Sequence, residues 1–319
     1  MTRIAVVGAG AFGRNHLRIL AASKDADLIA AVDADAAIAQ QAASEFNCQA
    51  ITDYRQLAGL CDAAVIATPT STHEEIATFL MDAGIDVLIE KPIAPTVAAA
   101  ERLSSKSKGR ILQVGHLERF NPAVRALEKL VTLPLFFEVH RLSLFSPRSL
   151  DVDVVLDLMI HDLEIILALT QMEPEEVRAS GISILSNKVD IANVRLAVPG
   201  GVIANLTASR VSTERVRKLR LFQPHQYISI DYGKQELLAV GVTAERQVQF
   251  LPAQVTKDEP LRLELEHFLE CVRTRQQPLV GGPEATRALR VAERILEKIE
   301  EHARVVEQTI ATSSLARSS

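Results

Sequence analysis

Three ionisable residues, Asp157, His161 and Glu164, stand at i, i+4 and i+7 in a segment from Val154 to Leu167 that is otherwise apolar around nearly its whole circumference. Such a pattern predicts a buried helix carrying one polar stripe. Burying carboxylates and an imidazole is costly unless they line a polar cavity or satisfy one another, and an internally paired network is the plainer of these two readings. Asp162 lies off the stripe, and its position suggests no role. A second chemically able group is Lys91 in Glu90-Lys91-Pro92, directly after the apolar run Val87–Ile89. Pro92 fixes its own φ and biases Lys91 toward an extended backbone, which holds the lysine at a strand end rather than in a helix. The alternative for Lys91 is a solvated surface lysine.

Gly8-Ala9-Gly10-Ala11-Phe12-Gly13 follows the first apolar run, Ile4–Val7, and opens a helical pattern. In that context Gly8 makes a tight turn, Gly10 lets the backbone approach a pyrophosphate, and Gly13 lets helix and strand pack closely. Gly8, Gly10, Ala11, Phe12 and Gly13 are therefore the expected phosphate cradle, with free N–H groups of the helix start as donors. Asp33 ends the second strand, twenty residues past Gly13, where a carboxylate accepts hydrogen bonds from ribose hydroxyls. Together with Asp35 it would repel a 2′-phosphate, so NAD is expected rather than NADP. With a nicotinamide in place, the expected chemistry is oxidation of a secondary alcohol. His161 takes the hydroxyl proton, Asp157 fixes the imidazole or the substrate, and Lys91 polarises the reacting oxygen or shares the role of base. The residues do not divide that work between Lys91 and His161. Glu90 and Lys91, at the strand end where ligands bind, are expected beside the cofactor as well.

The elements that must position these groups are legible as alternating runs. Ile4–Val7, Leu28–Val32, Ala63–Ala67, Val87–Ile89 and Ile111–Val114 read as parallel strands, separated by helices at Arg14–Ala22, Ala36–Phe46, Glu74–Ala83 and Val97–Lys106. After Asn121 the texture changes to a helix (Ala123–Leu130), a strand (Leu135–Leu144), the helix Val154–Leu169 and then successive strands. These are Val177–Ile184, Ile191–Val198, Val202–Ser209, Val216–Phe222 and Tyr227–Asp231, followed by helices near Pro260–Arg273 and Glu284–Glu301. The expected class is α/β: an N-terminal doubly wound Rossmann sheet over residues 1–120, then an α+β domain over 121–319 with a large open, mainly antiparallel sheet. The tail from about residue 310 is expected to fray. At the junction, Glu118, Arg119 and Asn121 suit a hydroxyl-rich or phosphorylated substrate, and an interdomain structural role suits them equally. The basic run Arg215, Arg217, Lys218 and Arg220 reads as one solvated strand face.

A net charge of −5 from 35 basic and 40 acidic residues leaves no electrostatic footprint for nucleic acid or an anionic membrane surface. No stretch approaches about 18 uninterrupted apolar residues, so no membrane span is expected. The three cysteines form no CxxC pair and suit a reducing compartment as buried small side chains, no metal is expected, and the start of the chain leaves no room for a signal peptide. A cytoplasmic protein is the expectation.

The glycine turn, Ala67-Thr68-Pro69-Thr70 with His73, Glu90-Lys91-Pro92, and Asp157 to His161 together resemble the glucose–fructose oxidoreductase and inositol dehydrogenase (Gfo/Idh/MocA) family over nearly the whole chain. The resemblance implies that Lys91, Asp157 and His161 are the catalytic group, that Thr68, Pro69 and His73 contact the cofactor, and that the open sheets pack into homodimers or homotetramers. Within the family, Val114 to Pro122 and Asp157 to Asp162 look most like the members that oxidise UDP-N-acetylglucosamine at C3 and supply a 3-keto sugar to a partner aminotransferase, a PLP enzyme, for lipid A or another surface polysaccharide. On that likeness Lys91, Glu118, Arg119, Asn121, Asp157, His161 and Glu164 are the substrate-binding set, with Glu164 in place of an expected aspartate. Inositol or free-aldose oxidation is the alternative inside the family, and a nucleotide-sensing protein without turnover is the alternative outside catalysis.

Overall fold

Short apolar runs that cannot reach helical length become the strands of the first unit. They are β1 (Thr2–Val7), β2 (Ala26–Val32), β3 (Gln49–Ile51), β4 (Ala63–Ile66), β5 (Asp86–Glu90) and β6 (Leu112–Gly115), in the order β3-β2-β1-β4-β5-β6 with every pairing parallel. Helices α1 (Ala11–Ala22), α2 (Ala36–Phe46), α3 (His73–Asp82) and α4 (Val97–Lys106) connect them. The central strands show no alternation of apolar and polar residues because they are covered on both faces: β4 and β5 are buried along their whole length. The strand order reverses between β1 and β4, and the carboxyl ends there form the crevice in which open α/β sheets take ligands. β3 has no counterpart among the predicted strands, being three residues at the sheet edge.

The computed structural model describes residues 1–145 and 152–312, with side chains through 309. The second unit contains α5 (Pro122–Glu128), β7 (Phe136–Leu144), α6 (Ile160–Thr170), β8 (Glu176–Ile182), β9 (Ile191–Val198), β10 (Val202–Ser212), β11 (Val216–Gln223), β12 (Gln226–Asp231), β13 (Glu236–Val242) and β14 (Val248–Leu251). Its eight strands run β14-β13-β12-β11-β7-β10-β9-β8, antiparallel throughout except for the β7–β10 pair. β13 and β14 lengthen the sheet beyond the predicted strands. The basic run falls mostly on β11, where Leu219 and Leu221 are buried while Arg217, Lys218 and Arg220 are half-buried, and Arg220 donates to Glu138 of β7 at 3.0 Å. Of the tail expected to fray from about residue 310, the backbone through Thr312 continues the last helix, and residues 313–319 lie outside the described residues.

Two helices close the chain, α7 (Pro260–Thr274) and α8 (Gly282–Thr312). The division of the chain differs from a split at residue 120: Asp258–Leu289 belongs to the first unit with Met1–Phe120, and the second unit is Asn121–Lys257 with the chain from Arg290. The reason is packing. Leu265, Phe268, Leu269 and Cys271 of α7 join Ile4, Leu17, Leu20 and Leu88 in one buried cluster, and each such side chain stabilises by roughly 1.5–3 kcal/mol when fully buried.

In the second unit the residue without a predicted role, Asp162, proves to be an anchor. Arg141 of β7 donates from Nε and Nη2 to its two carboxylate oxygens at 2.6 and 2.9 Å, with both side chains almost wholly buried. The Tyr232 ring lies 4.8 Å from the guanidinium. A bidentate pair of this kind fixes α6 on the sheet in one orientation. Removing one partner strands the other charge in the interior, so Arg141→Met is expected to cost about 3–5 kcal/mol. Chemical denaturation of the variant beside the wild type measures this, and a difference under about 1 kcal/mol, the range of exposed pairs, contradicts it.

Candidate functional site

The glycine turn is built as its spacing requires. Gly8 has φ +92°, and a Cβ there would lie 2.6 Å from the Ala67 carbonyl oxygen. At Gly13 a Cβ would lie 1.7 Å from the Gly8 oxygen, so no side chain fits between α1 and the turn. Gly10 is the N-cap of α1 and caps it with no side chain, while a Cβ there would meet nothing within 4 Å. Ala11 and Phe12, in the first helical turn, are exposed, Phe12 by 56%. Uncapped N–H groups above an open cradle suit a pyrophosphate.

Asp33 is held at the end of β2 by two backbone donors: the Ala9 amide reaches Oδ2 at 2.9 Å and the Asp35 amide reaches Oδ1 at 3.0 Å. A carboxylate has lone pairs beyond these two bonds with which to accept ribose hydroxyls. It therefore ties the glycine turn to β2 while presenting its charge beside it. Asp35 is the N-cap of α2, accepting from Ala37 and Ile38.

After β4, Thr72 donates from Oγ1 to the Pro69 carbonyl at 2.8 Å and sits at the same distance from the Thr68 hydroxyl. His73 is 1% exposed, with its ring nitrogens 3.0 Å from the carbonyls of Thr68 and Pro92. Burial lowers its pKa against the pull of those carbonyls, so the neutral ring donates to one of them. His73 thus fastens the Thr68-Pro69 loop to the Lys91-Pro92 loop, whose peptide bond is cis.

Glu90, the last residue of β5, is buried, with Oε1 2.7 Å from His16 Nε2 of α1 and Oε2 3.3 Å from the Lys91 amide. Lys91 is half-buried. His116, one residue past β6, is wholly buried, and burial together with the charges of Lys91 and Arg119 pushes its pKa down to about 3. A neutral imidazole thus shares the surroundings of the Lys91 ammonium. His16 and His116 were not named among the expected site residues, although His116 lies within the Val114 to Pro122 stretch just after a parallel strand. Glu118 and Arg119 follow in a 3₁₀ turn, both about 6% exposed.

The second unit holds the polar stripe. Asn121 caps α5 by accepting from Ala123 at 3.1 Å and donates to the Tyr232 carbonyl at 3.1 Å. Those bonds favour the structural of its two expected roles. The segment ahead of α6 is not α-helical as predicted: Val155–Met159 is one π turn, with the Ile160 amide reaching back to the Val155 carbonyl. Insertions of this kind are frequent at functional sites because they re-aim side chains. Asp157 lies in the π turn and is half-buried, and His161 and Glu164 lie on α6 at 7% and 2% exposure. Val189 steadies the entry to this turn, accepting from the Val154 amide at 3.0 Å and donating to Asp153 at 2.9 Å. The structure therefore brings Gly8 to Gly13, Asp33, Thr68, Pro69, His73, Glu90, Lys91, Glu118 and Arg119 into the first unit, and Asn121, Asp157, His161 and Glu164 into the second.

Two family models match the chain: an oxidoreductase family with an NAD-binding Rossmann fold over residues 2–116, and the GFO/IDH/MocA C-terminal domain over residues 140–225. The chain belongs to the Gfo/Idh/MocA oxidoreductases. UDP-N-acetylglucosamine 3-dehydrogenase of Acidithiobacillus ferrooxidans is 35% identical over 93% of this chain and 97% of its own. A solved structure of that enzyme superposes with a TM-score of 0.89 over 94% of this chain and 98% of its own, at 34% identity. scyllo-Inositol 2-dehydrogenase of Bacillus subtilis is 28% identical over 91% of both chains. As a Gfo/Idh/MocA member the protein is an NAD-binding enzyme acting on CH–OH groups, and among the described residues no helix is long and apolar enough to cross a membrane.

Because the Asp33 carboxylate both holds the Ala9 amide and repels a 2′-phosphate, Asp33→Ser is expected to weaken NAD binding about tenfold or more, equivalent to ~1.4 kcal/mol, while improving NADP binding. Calorimetric titration with each dinucleotide measures both effects. Unchanged preference would remove Asp33 from cofactor selection.

Proposed function

We propose that the protein oxidises the C3 hydroxyl of UDP-N-acetylglucosamine to the 3-keto sugar, with NAD as the oxidant. The observation that carries this reading is the near full-length likeness to a UDP-N-acetylglucosamine 3-dehydrogenase, extending from the glycine turn through the polar stripe. Cofactor contacts are assigned to Gly8, Gly10, Ala11, Phe12, Gly13, Asp33, Thr68, Pro69, Glu90 and Lys91, with His73 acting through the loops it joins. NAD, when bound, accepts a hydride from the carbinol carbon.

The catalytic group is Lys91, Asp157 and His161. His161 takes the hydroxyl proton as the C–H bond breaks, and Asp157 fixes the imidazole or the substrate. The Lys91 ammonium stabilises negative charge developing on the hydroxyl oxygen, and neutral His116 beside it adds no competing cation. Glu118, Arg119 and Glu164 are assigned to the substrate, with Arg119 the group suited to a phosphate.

The product is a ketone, which a PLP-dependent aminotransferase would consume. We place the protein in the cytoplasm, as a homodimer or homotetramer, and assign residues 1–120 to cofactor binding and residues after 120 mainly to substrate. A second reading, inositol oxidation, is favoured by the likeness to scyllo-inositol 2-dehydrogenase.

NADH formation with purified protein, NAD and UDP-N-acetylglucosamine, coupled to a PLP aminotransferase to remove the ketone, tests the substrate. Turnover with the nucleotide sugar and none with inositols is expected; the reverse overturns the proposal. Lys91→Ala and His161→Ala are each expected to lower kcat/KM by roughly 10²- to 10⁴-fold, with NAD affinity nearly intact in His161→Ala. Unchanged turnover in either variant removes that residue from the catalytic group.

A further inference from the structure

Beneath the Lys91 loop, the first unit buries a carboxyl group to which the chemistry above gives no task. Glu264 of α7 has no solvent exposure, and neither of its carboxyl oxygens has a hydrogen-bond partner among the described residues. Its backbone carbonyl accepts from Gln113 Nε2 of β6 at 3.1 Å, and Gln113 is also wholly buried. The neighbouring charge that Glu264 senses is the carboxyl of Glu90. The titratable groups on the surrounding elements are His16 on α1, Glu90 and Lys91 at the end of β5, His116 after β6, Glu118 and Arg119 in the turn packed on α7, and His267 on α7 itself.

Two carboxylates cannot both be ionised in so dry a place, because each loses its hydration and repels the other. Glu90 is the better hydrogen-bonded of the two. Its carboxyl lies between His16 Nε2 and the Lys91 amide, and Gly115 leaves it room, since a Cβ there would lie 3.0 Å from Glu90 Oε2. Bonds from N–H groups favour the charged form. Glu264 has none, and burial followed by the Glu90 charge raises its pKa well above the ordinary carboxyl value.

We propose that Glu264 is a positioning residue: it keeps its proton, so that no second charge is set against the Glu90 carboxyl, which bridges His16 of the cofactor helix and the backbone of Lys91. Ionising Glu264 would set a second negative charge against Glu90 and loosen the tie between the glycine-turn helix and the catalytic loop. A glutamine would fill the same space without that liability. The inference rests on the first unit's binding of NAD, not on the identity of the sugar.

The sign of the pH effect follows from linkage. The unfolded chain releases the Glu264 proton near pH 4.3, whereas the folded protein retains it. The folded state therefore binds more protons above that pH, and stability falls as pH rises until Glu264 itself ionises. Glu264→Gln is expected to gain melting temperature relative to the wild type as pH rises above the ordinary carboxyl range, until Glu264 itself ionises. An ion-paired, structural Glu264 would give the opposite trend and overturn the proposal. Infrared spectra of protein labelled with ¹³C-carboxyl glutamate should show a protonated-carboxyl stretch at neutral pH that Glu264→Gln lacks. Absence of that band from the wild type overturns the proposal even if the variant does not fold.

The positioning role has its own readout. NAD titrations carried upward in pH through the loss of the Glu264 protonated-carboxyl band should show wild-type affinity falling by about tenfold per pH unit once Glu264 ionises, as expected when only one protonation state is competent. That limb should be missing from Glu264→Gln. Identical profiles in the two proteins across the loss of that band refute the role. None of these measurements uses a sugar, so a failure here leaves the substrate assignment standing, and a failed sugar assay leaves this proposal standing.

Discussion

The hydrogen bond between Glu90 and His16 joins the two parts of the first unit that any dinucleotide chemistry must hold in register. Glu90 ends β5, the strand that delivers Lys91, and His16 lies on α1, the helix that the glycine turn opens. A buried carboxylate is tolerable only where N–H groups replace its water, so the bond constrains both elements at once. His73 repeats the device one loop away by tying the Thr68 and Pro92 carbonyls. Asp33 repeats it again by holding Ala9 against the end of β2. The carboxyl edge of the sheet is thus braced by side chains that reach across the chain rather than by local turn preference alone.

The same physics operates in the second unit with the opposite allotment. Asp162 gives its charge to Arg141 in a buried bidentate pair and is spent on structure. Its helix neighbours Asp157, His161 and Glu164 lie on the stripe instead, and the π turn ahead of α6 sets the direction in which Asp157 leaves the helix. Position relative to the stripe therefore separates an anchoring carboxylate from those proposed for the chemistry. A single helix carries both kinds because α6 is buried almost all round, so every polar residue on it needs a specific partner or a specific task.

Much of this was legible in the sequence because it is local. The strands of the first sheet are continuous apolar runs, the glycine turn is a contiguous hexapeptide, and the stripe is a periodicity within one segment. What escaped was either too short or too far apart. β3 is three residues at an edge, and β14 places Val248 and Phe250 in the open, so neither shows a buried pattern. His16, Glu90 and Glu264 meet only through the tertiary fold; a lone histidine on the buried face of α1 reads as core, and Glu264 reads as a polar position on an amphipathic helix. The contribution of α7 to the first unit is invisible for the same reason, since periodicity reports that a helix has an apolar face but not which core that face joins. The π turn was missed because its residues are compatible with an α-helix.

Chemistry and specificity are allotted to different kinds of position in this protein. A hydride acceptor, an acid–base pair and a cation at the developing alkoxide serve any secondary alcohol, so the proposed catalytic group of Lys91, Asp157 and His161 would say little about which alcohol is oxidised. Discrimination falls to groups whose value depends on the substrate's remote parts, where an unmatched buried polar group is penalised heavily. Glu118 and Arg119 are the groups proposed for that role: both are buried in a short 3₁₀ turn directly after β6, and the turn is braced by the Arg119 amide donating to the His116 carbonyl at 2.9 Å. A charge held that firmly cannot retreat into water when a ligand lacks a partner for it. If the proposed roles hold, the turn from Leu117 to Phe120 is the place where a change of side chain alters substrate choice while leaving the hydride chemistry in place.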